Sequence, residues 1–132
     1  MPVAAHTPDY WNDACADLCL KDPILASIIQ KYPVPILKSK GDLFSTLIRS
    51  IVGQQISVLA ADAVWGRFSQ LIAKTTPNQI LKQTPQDMRD CGLSNRKVEY
   101  IRGIAETWTQ EYAELDWHAM SDVEVKRKLI AL

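Results

Sequence analysis

Residues 50–57, Ser-Ile-Val-Gly-Gln-Gln-Ile-Ser, separate two long segments in which apolar residues recur at helical spacing. In the segment before them, these positions are Leu43, Phe44, Leu47, Ile48, Ile51 and Val52. In the segment after them, they are Ile56, Leu59, Ala60, Ala63, Val64, Phe68, Leu71 and Ile72. Such a stripe predicts a helix with one buried face, so residues 50–57 are predicted to form the corner between two packed helices.

The corner itself contains two long neutral amides. Gly53 suits the left-handed residue that ends a helix, and Ser57 suits the N-cap of the next helix. Gln54 and Gln55 remain between them and are predicted to face solvent. Turns favour Gly, Pro, Asn, Asp and Ser for backbone reasons that do not apply to Gln. The pair is therefore either an ordinary solvated corner, which spacing alone favours, or a functional feature.

The remaining local signals also predict helices. The first helix carries one apolar face, formed by Tyr10, Trp11, Ala14, Cys15, Leu18 and Cys19. Five further helices are predicted to begin at N-cap residues, namely Asp22, Thr76, Thr84, Ser94 and Ser121, and Asp42 is predicted to cap the helix that leads into the corner. Gly92 is predicted to end the short helix that begins after Thr84.

No stretch shows sustained strand-type alternation, so the predicted fold is all-α, a multi-helix orthogonal bundle. The helix after Ser94 places Val98, Ile101, Ala105, Trp108 and Tyr112 on one face. The predicted core of the part after Asp42 consists of Leu47, Ile51, Leu59, Ala63, Ile101 and Ala105. Residues 1–8 are predicted to be a flexible tail, and residues 9–132 a single helical domain. The four tryptophans, Trp11, Trp65, Trp108 and Trp117, are expected to be core residues or half-buried anchors.

Composition excludes some classes of protein but leaves DNA binding open. The chain has 132 residues, with 15 Lys and Arg against 15 Asp and Glu. A net charge of zero neither indicates nor excludes DNA, because binding depends on a local basic face. No apolar run suits a membrane span and no signal peptide is recognisable, so a cytoplasmic location is predicted. Cys15 and Cys19 lie one helical turn apart, but without a second ligand pair they are read as packed thiols and no metal is expected.

Two segments resemble a known family. The first comprises Phe44, Leu47, Ser50, Ile51, Val52, Gly53, Gln54, Gln55, Ile56 and Ser57, followed by Ala60, Ala61, Arg67 and Phe68. The second comprises Met88, Arg89, Cys91, Gly92, Leu93, Ser94, Lys97, Tyr100 and Ile101. Together they resemble DNA-3-methyladenine glycosylase II, of the helix-hairpin-helix base-excision superfamily. The resemblance implies removal of alkylated bases from double-stranded DNA by hydrolysis of the glycosidic bond, by a monomer that needs no metal or other cofactor.

The resemblance also implies where the catalytic group lies. In the family, the helix corresponding to residues 121–132 is the first of the helix-hairpin-helix, and the Gly-rich hairpin, the second helix and the catalytic Asp follow it. No residue up to Leu132 matches that Asp, so none is assigned a catalytic role. The expectation is an incomplete glycosylase domain that releases no base by itself.

Five residues are expected to contact DNA. By the resemblance, Gln55 occupies the position of the wedge that fills the gap left by a flipped base, with Gln54 beside it. Ser57, at a helix N-terminus, suits a phosphate contact, and Arg49 and Lys97 carry charges that suit the phosphate backbone. For Arg49 and Lys97, a solvated charged face is the simpler interpretation.

Two other functions remain open from the sequence. A non-enzymatic helical DNA-binding protein would read bases from the start of a recognition helix, where Asn95, Arg96 and Lys97 follow Ser94. A fragment similar to an endonuclease III-like lyase would carry its nucleophile beyond Leu132. The position of the Gln pair at a corner between helices argues against a recognition-helix protein. The sequence of residues 53–57, Gly-Gln-Gln-Ile-Ser, resembles the alkylation-repair branch more than the lyase branch.

Overall fold

The computed structural model describes residues 7–33, 37–38 and 42–132, and no β-strand occurs in these ranges. The helices are α1 (Trp11–Lys21), α2 (Pro23–Lys31), α3 (Leu43–Gly53), α4 (Val58–Ile72), α5 (Pro77–Leu81), α6 (Pro85–Asp90), α7 (Asn95–Thr107) and α8 (Asp122–Ile130). A π-helical turn, Trp108–Tyr112, continues α7, and a 3₁₀ turn, Trp117–Ala119, precedes α8. The all-α prediction is confirmed. The predicted tail falls mostly on residues 1–6, which lie outside the described ranges.

The chain forms two compact units, one ending at Asp42 and the other spanning Leu43–Leu132. In the first unit, α1 packs against α2. Asp22 begins α2 as predicted, because its carboxylate oxygen Oδ1 accepts hydrogen bonds from the backbone N–H groups of Ile24 (2.8 Å) and Leu25 (3.1 Å). Pro23 occupies the first turn, where its missing N–H would in any case have no helical partner.

In the second unit, α7 is the central element. It packs against α3, α5 and α6, and α3 packs against α4. Its predicted face is confirmed, since Val98, Ile101, Ala105, Trp108 and Tyr112 are all buried. The largest fully buried side chains around it are Phe68, Ile48, Ile72, Ile80, Met88 and Val52. One continuous apolar core therefore holds α3 to α7 together.

The predicted core contained two errors, both on α4. Ile101 and Ala105 are fully buried, and Leu47 and Ile51 pack against the core as partly buried residues. Leu59, however, is 84% exposed, and Ala63 is also exposed. The buried stripe of α4 runs through Val64, Phe68 and Ile72. Leu59 precedes Val64 by five residues, which rotates it by about 140° around the helix axis, away from the core.

An aromatic cluster follows α7. The rings of Trp108 and Trp117 are stacked, with centroids 5.4 Å apart, and Tyr112 meets Trp117 edge-on at 5.6 Å. The hydroxyl of Tyr112 donates to the carbonyl of Lys128 (2.8 Å), which ties α8 to this cluster. Trp108 is buried, and Trp11, Trp65 and Trp117 are partly buried, so the predicted packing roles of the tryptophans are confirmed. The sequence pattern did not predict the π-helical turn.

The predicted helix ends are largely confirmed. The side-chain oxygens of Thr76, Thr84, Ser94 and Ser121 each accept the N–H three residues later. Gly92 has a φ of +102° just beyond α6, as expected of a residue that ends a helix. Cys91 is buried beside it, and burial raises the pKa of its thiol even though Arg67 lowers it, which fits a packed and unreactive cysteine.

Gly92 also leaves little room for a side chain. A Cβ there would lie 3.0 Å from Nη2 of Arg67 and 3.1 Å from Cγ2 of Val64. We predict that Gly92→Ala lowers the free energy of unfolding by about 1–3 kcal/mol, through backbone strain and crowding. Urea denaturation measures this. The control is Gly103→Ala within α7, where a Cβ meets nothing within 4 Å and the change should stabilise the helix. A neutral Gly92→Ala would contradict the crowding.

A second strained residue follows α4. Ala73 has φ of +57° and ψ of −46°, and the N–H of Lys74 donates to the carbonyl of Ile72 (2.6 Å), which closes a γ-turn. This form of the γ-turn is strained for residues that carry a Cβ.

We therefore expect Ala73→Gly to raise the free energy of unfolding by about 1 kcal/mol, because the relieved strain exceeds the extra entropy of the unfolded chain. The matched control is Ala63→Gly, in the exposed interior of α4, which should lower it by about 1 kcal/mol. The measurement is the shift of the urea midpoint for each variant. A loss of stability in both would show that Ala73 is not strained.

Candidate nucleic-acid interface

The corner between α3 and α4 turns at a different residue from the one predicted. Gly53 is the last residue of α3, and the left-handed residue is Gln55, with φ of +62°. The prediction for Gly53 is therefore wrong. α3 continues through Gly53, which lies close to Ala61 of α4, so the chain reverses only after the helix has ended. A Cβ at Gly53 would make an ordinary contact of 3.7 Å with that of Ala61.

Ser57 acts as predicted at the other side of the corner. Its backbone is extended, and its Oγ accepts the N–H of Ala60 (3.2 Å) at the start of α4. The first N–H groups of a helix have no partner within the helix, and they give its N-terminus a partial positive charge. The α4 N-terminus therefore presents a surface that suits an anion next to the Gln pair.

Gln54 and Gln55 are both exposed, which confirms that they face solvent. A positive φ is uncommon for residues other than Gly, and for Gln it costs about 1–2 kcal/mol. Residues in such conformations cluster at functional sites, where the surrounding structure holds them in place. Gln55 is thus an exposed, strained residue at the tip of a corner between two packed helices.

Lys97 lies against the backbone of this corner. Its ammonium Nζ donates to the carbonyl oxygens of Val52 and Gln54, each at 2.8 Å, and its side chain is partly buried. The structure therefore brings Lys97 to the predicted site but gives it partners within the protein. Its contact with DNA phosphate stays a prediction.

Arg49 also has partners within the protein. Its Nη2 lies 3.5 Å from Oδ1 of Asp62, and its guanidinium lies over the ring of Trp65, with 5.5 Å from Cζ to the ring centroid. Arg49 remains exposed. The arrangement directs its charge towards the flank of α4, and its predicted contact with DNA is likewise untested.

Exposed apolar side chains adjoin the Gln pair, and sequence reasoning missed them. Ile56 is 41% exposed, Val58 77% and Leu59 84%. The prediction placed Leu59 in the core because the apolar stripe of α4 was assumed to begin at the corner. Steps of three or four residues back from Val64 reach Ala61 and Ala60 and not Leu59, so the spacing of Val64, Phe68 and Ile72 could have placed Leu59 outside the buried stripe. The corner therefore combines neutral amides with apolar surface.

The start of α7 does not resemble a free recognition helix. Asn95 accepts a hydrogen bond from Nη1 of Arg89 (3.4 Å), and Lys97 is bound to the corner. Two of the three side chains that could read bases are therefore engaged with the protein, while Arg96 is exposed. This weakens the alternative of a recognition-helix protein.

The described ranges contain neither a candidate metal site nor a candidate membrane span. No three His, Cys, Asp or Glu side chains in those ranges are grouped as a metal would require. Cys15 and Cys19 are partly buried free thiols on α1. None of the helices described is both long and apolar enough to cross a membrane.

Comparison with known families then decides the assignment. The sequence model of the HhH-GPD superfamily of base excision DNA repair proteins matches residues 48–132, from the second half of α3 to the last residue. The chain belongs to this superfamily. The match includes the corner, Lys97 and α8, so the candidate site lies inside the part that defines the superfamily.

Comparisons with individual proteins support this assignment. The chain is 28% identical to a DNA-3-methyladenine glycosylase of Saccharomyces cerevisiae over 86% of its own length. It is 31% identical to DNA-3-methyladenine glycosylase 1 of Schizosaccharomyces pombe over 62% of its length. The crystal structure of a DNA-3-methyladenine glycosidase from Bacillus halodurans superposes on 98% of the chain with a TM-score of 0.68 and 28% identity. The predicted family resemblance is confirmed.

The chain spans only part of each of these relatives. It covers 43% of the Saccharomyces protein, 37% of the Schizosaccharomyces protein and 60% of the Bacillus structure. Membership of the superfamily is thus shown over the matched residues, while the catalytic position expected beyond Leu132 stays a prediction.

Proposed function

We propose that this chain forms the base-flipping part of a DNA glycosylase that removes alkylated bases of the 3-methyladenine type from duplex DNA. The observation that carries the proposal is Gln55, an exposed side chain on a left-handed residue at the corner of α3 and α4. The names of the relatives support the class of substrate, since each is called a 3-methyladenine glycosylase or glycosidase.

An enzyme that acts on a base must take it out of the stack. This costs a few kcal/mol, and the extruded base returns unless something occupies its place. A Gln side chain is long enough to enter the gap and can donate and accept hydrogen bonds with the unpaired opposite base. Because the Gln amide is neutral and can both donate and accept hydrogen bonds, it can contact any of the opposite bases. This suits an enzyme that repairs varied lesions.

The surroundings of Gln55 suit the same task. Proteins that bend DNA from the minor groove insert apolar side chains between base steps. Ile56, Val58 and Leu59 are exposed beside the wedge and provide apolar surface of this kind. The N-terminus of α4 at Ser57 suits a phosphate of the bent strand, because the first N–H groups of a helix have no partner within it and favour an anion. We infer that these groups hold the DNA while Gln55 occupies the gap.

The chemical step requires a group in addition to those that bind and flip the base. Cleavage of the glycosidic bond leaves positive charge on the sugar, and a fixed carboxylate facing that charge would stabilise it. By the family resemblance this is an Asp beyond Leu132. We therefore assign the matched residues to binding and flipping, and the carboxylate chemistry to the part that corresponds to the remainder of the relatives.

The proposal predicts a selective defect for Gln55→Ala. The test uses a chimera in which residues 1–132 are joined to the corresponding C-terminal part of the Bacillus halodurans protein. The rate of excision from duplex DNA should fall by an amount that corresponds to an increase of about 1–3 kcal/mol in activation free energy. This is comparable to the unstacking cost that the wedge offsets. Excision from single-stranded DNA should change little, because it offers little stack to replace. The measurement is the rate of 3-methyladenine release from both substrates.

Gln54→Ala is the matched control, since Gln54 is the neighbouring exposed amide and does not have the left-handed backbone. It should impair duplex excision less than Gln55→Ala does. Thermal melting should be unchanged in both variants, because exposed side chains contribute little to stability. Equal losses on both substrates, or a large fall in melting temperature, would mean that Gln55 is a structural residue and not the wedge.

A further inference from the structure

The contact between Lys97 and the corner joins residues that are far apart in sequence. Lys97 is in the first turn of α7, whereas Val52 and Gln54 lie 45 and 43 positions earlier. The last carbonyl groups of a helix have no partner within it, and they carry the negative end of the helix dipole. An ammonium group bound to them forms charge-assisted hydrogen bonds, which are stronger than neutral ones.

We propose that Lys97 is a positioning residue that holds Gln55 in its left-handed conformation, and that it acts through the backbone of the corner and not through DNA phosphate. This inference rests on the proposed function, in which Gln55 enters the gap left by a flipped base.

The geometry of the peptide bond supplies the mechanism. The carbonyl of Gln54 and the N–H of Gln55 belong to one rigid planar group. When Lys97 binds the Gln54 oxygen, it fixes the orientation of that plane and so restricts φ of Gln55. Its second bond, to the Val52 oxygen, anchors the same ammonium to the end of α3. The plane is therefore held relative to a helix that is packed in the core.

The corner needs this restraint because its conformation is unfavourable by itself. Left-handed backbone is disfavoured for Gln, and a Gly at this position would have removed the strain. Without an external restraint, residues 54–56 would sample conformations in which the Gln55 side chain points elsewhere. A wedge works best when its geometry is fixed before DNA binds, since ordering it on binding would weaken the complex.

The same contacts make Lys97 less suited to bind a phosphate of the DNA backbone. An ammonium has three N–H donors, and two of them are directed at carbonyl oxygens. The side chain is also partly buried, whereas Arg96 beside it is exposed. The charge of Lys97 therefore acts mainly on carbonyl groups within the protein.

The experiment compares Lys97→Met with Arg102→Met in this chain. Methionine keeps an unbranched apolar side chain but removes the charge and the donors. Arg102 is the matched control, because it lies on the same helix and donates from Nη1 to a carbonyl of another loop, that of Gln83 (2.7 Å). Both variants lose a cation bound to a carbonyl, but only Lys97→Met releases the corner.

The first readout is ¹⁵N relaxation of the amides of residues 54–56. Lys97→Met should lower their order parameters from about 0.85, typical of rigid backbone, towards about 0.6, whereas Arg102→Met should leave them unchanged. This readout does not depend on DNA binding. Unchanged order parameters in Lys97→Met would overturn the inference.

The second readout is the affinity for duplex DNA with a stable abasic analogue, compared with intact duplex, at several salt concentrations. Lys97→Met should reduce the preference for the abasic duplex by roughly tenfold, because the gap is no longer met by a fixed wedge. The dependence of affinity on salt should stay the same. Arg102→Met should change neither quantity.

Each outcome separates the inference from its alternatives. If Lys97→Met lowers the slope of log affinity against log salt by about one and weakens both duplexes equally, Lys97 is a phosphate contact and the inference is wrong. If the unaltered chain binds neither duplex, the proposed function fails for these 132 residues. The relaxation measurement alone then decides whether Lys97 holds the corner.

Discussion

The burial of α7 is the constraint on which the second unit depends. Val98, Ile101 and Ala105 are enclosed by α3, α5 and α6, so these helices take their positions from one central element. Its first turn places Lys97 against the corner, and the turn that follows it places Trp108 and Tyr112 against the segment that leads to α8. The candidate interface and the segment that precedes α8 are thereby fixed to opposite ends of the same helix.

A fold built from short helices has many unpaired carbonyl groups, and cationic side chains satisfy several of them here. Lys97 binds the end of α3, Nε of Arg67 binds the carbonyl of Cys91 after α6 (2.9 Å), and Arg102 binds that of Gln83 after α5. Each contact satisfies carbonyl groups that have no partner within the helix. Charged residues that would ordinarily be assigned to a DNA surface are thus used in part to connect the helices, so counting basic residues is a poor guide to this interface.

In the described ranges, two residues that carry side chains have a strained backbone, and they occupy different settings. Ala73 ends α4 in a γ-turn, and no functional residue lies beside it in the proposed site. Gln55 is strained at the exposed tip of a corner that is held by long-range contacts. Backbone strain alone does not indicate function. At Gln55 the strain supports a functional role because the side chain is exposed, the preceding carbonyl is bound by Lys97 and the residue lies within the superfamily match.

The sequence alone determined the features that depend on neighbours within a few positions. The N-caps at Ser57, Ser94 and Ser121, the end of α6 at Gly92 and the exposure of the Gln pair were all predicted, because the hydrogen bonds and sterics involved are local. The family resemblance was also predicted from the residues around the corner. These features account for the order of the helices and for the position of the candidate site along the chain.

Tertiary structure decided what depends on residues far apart in sequence. It turned Leu59 outwards, because the phase of α4 is set by the packing of Val64 and Phe68 and not by the nearest apolar residue. It placed the left-handed backbone at Gln55 and not at Gly53, since α3 remains helical where it meets α4. It also brought Lys97 to the corner, across more than forty residues. The spacing of Val64, Phe68 and Ile72 carries a local signal for the phase of α4, but no local pattern encodes the conformation of Gln55 or the position of Lys97, because both depend on contacts between helices that are distant in sequence.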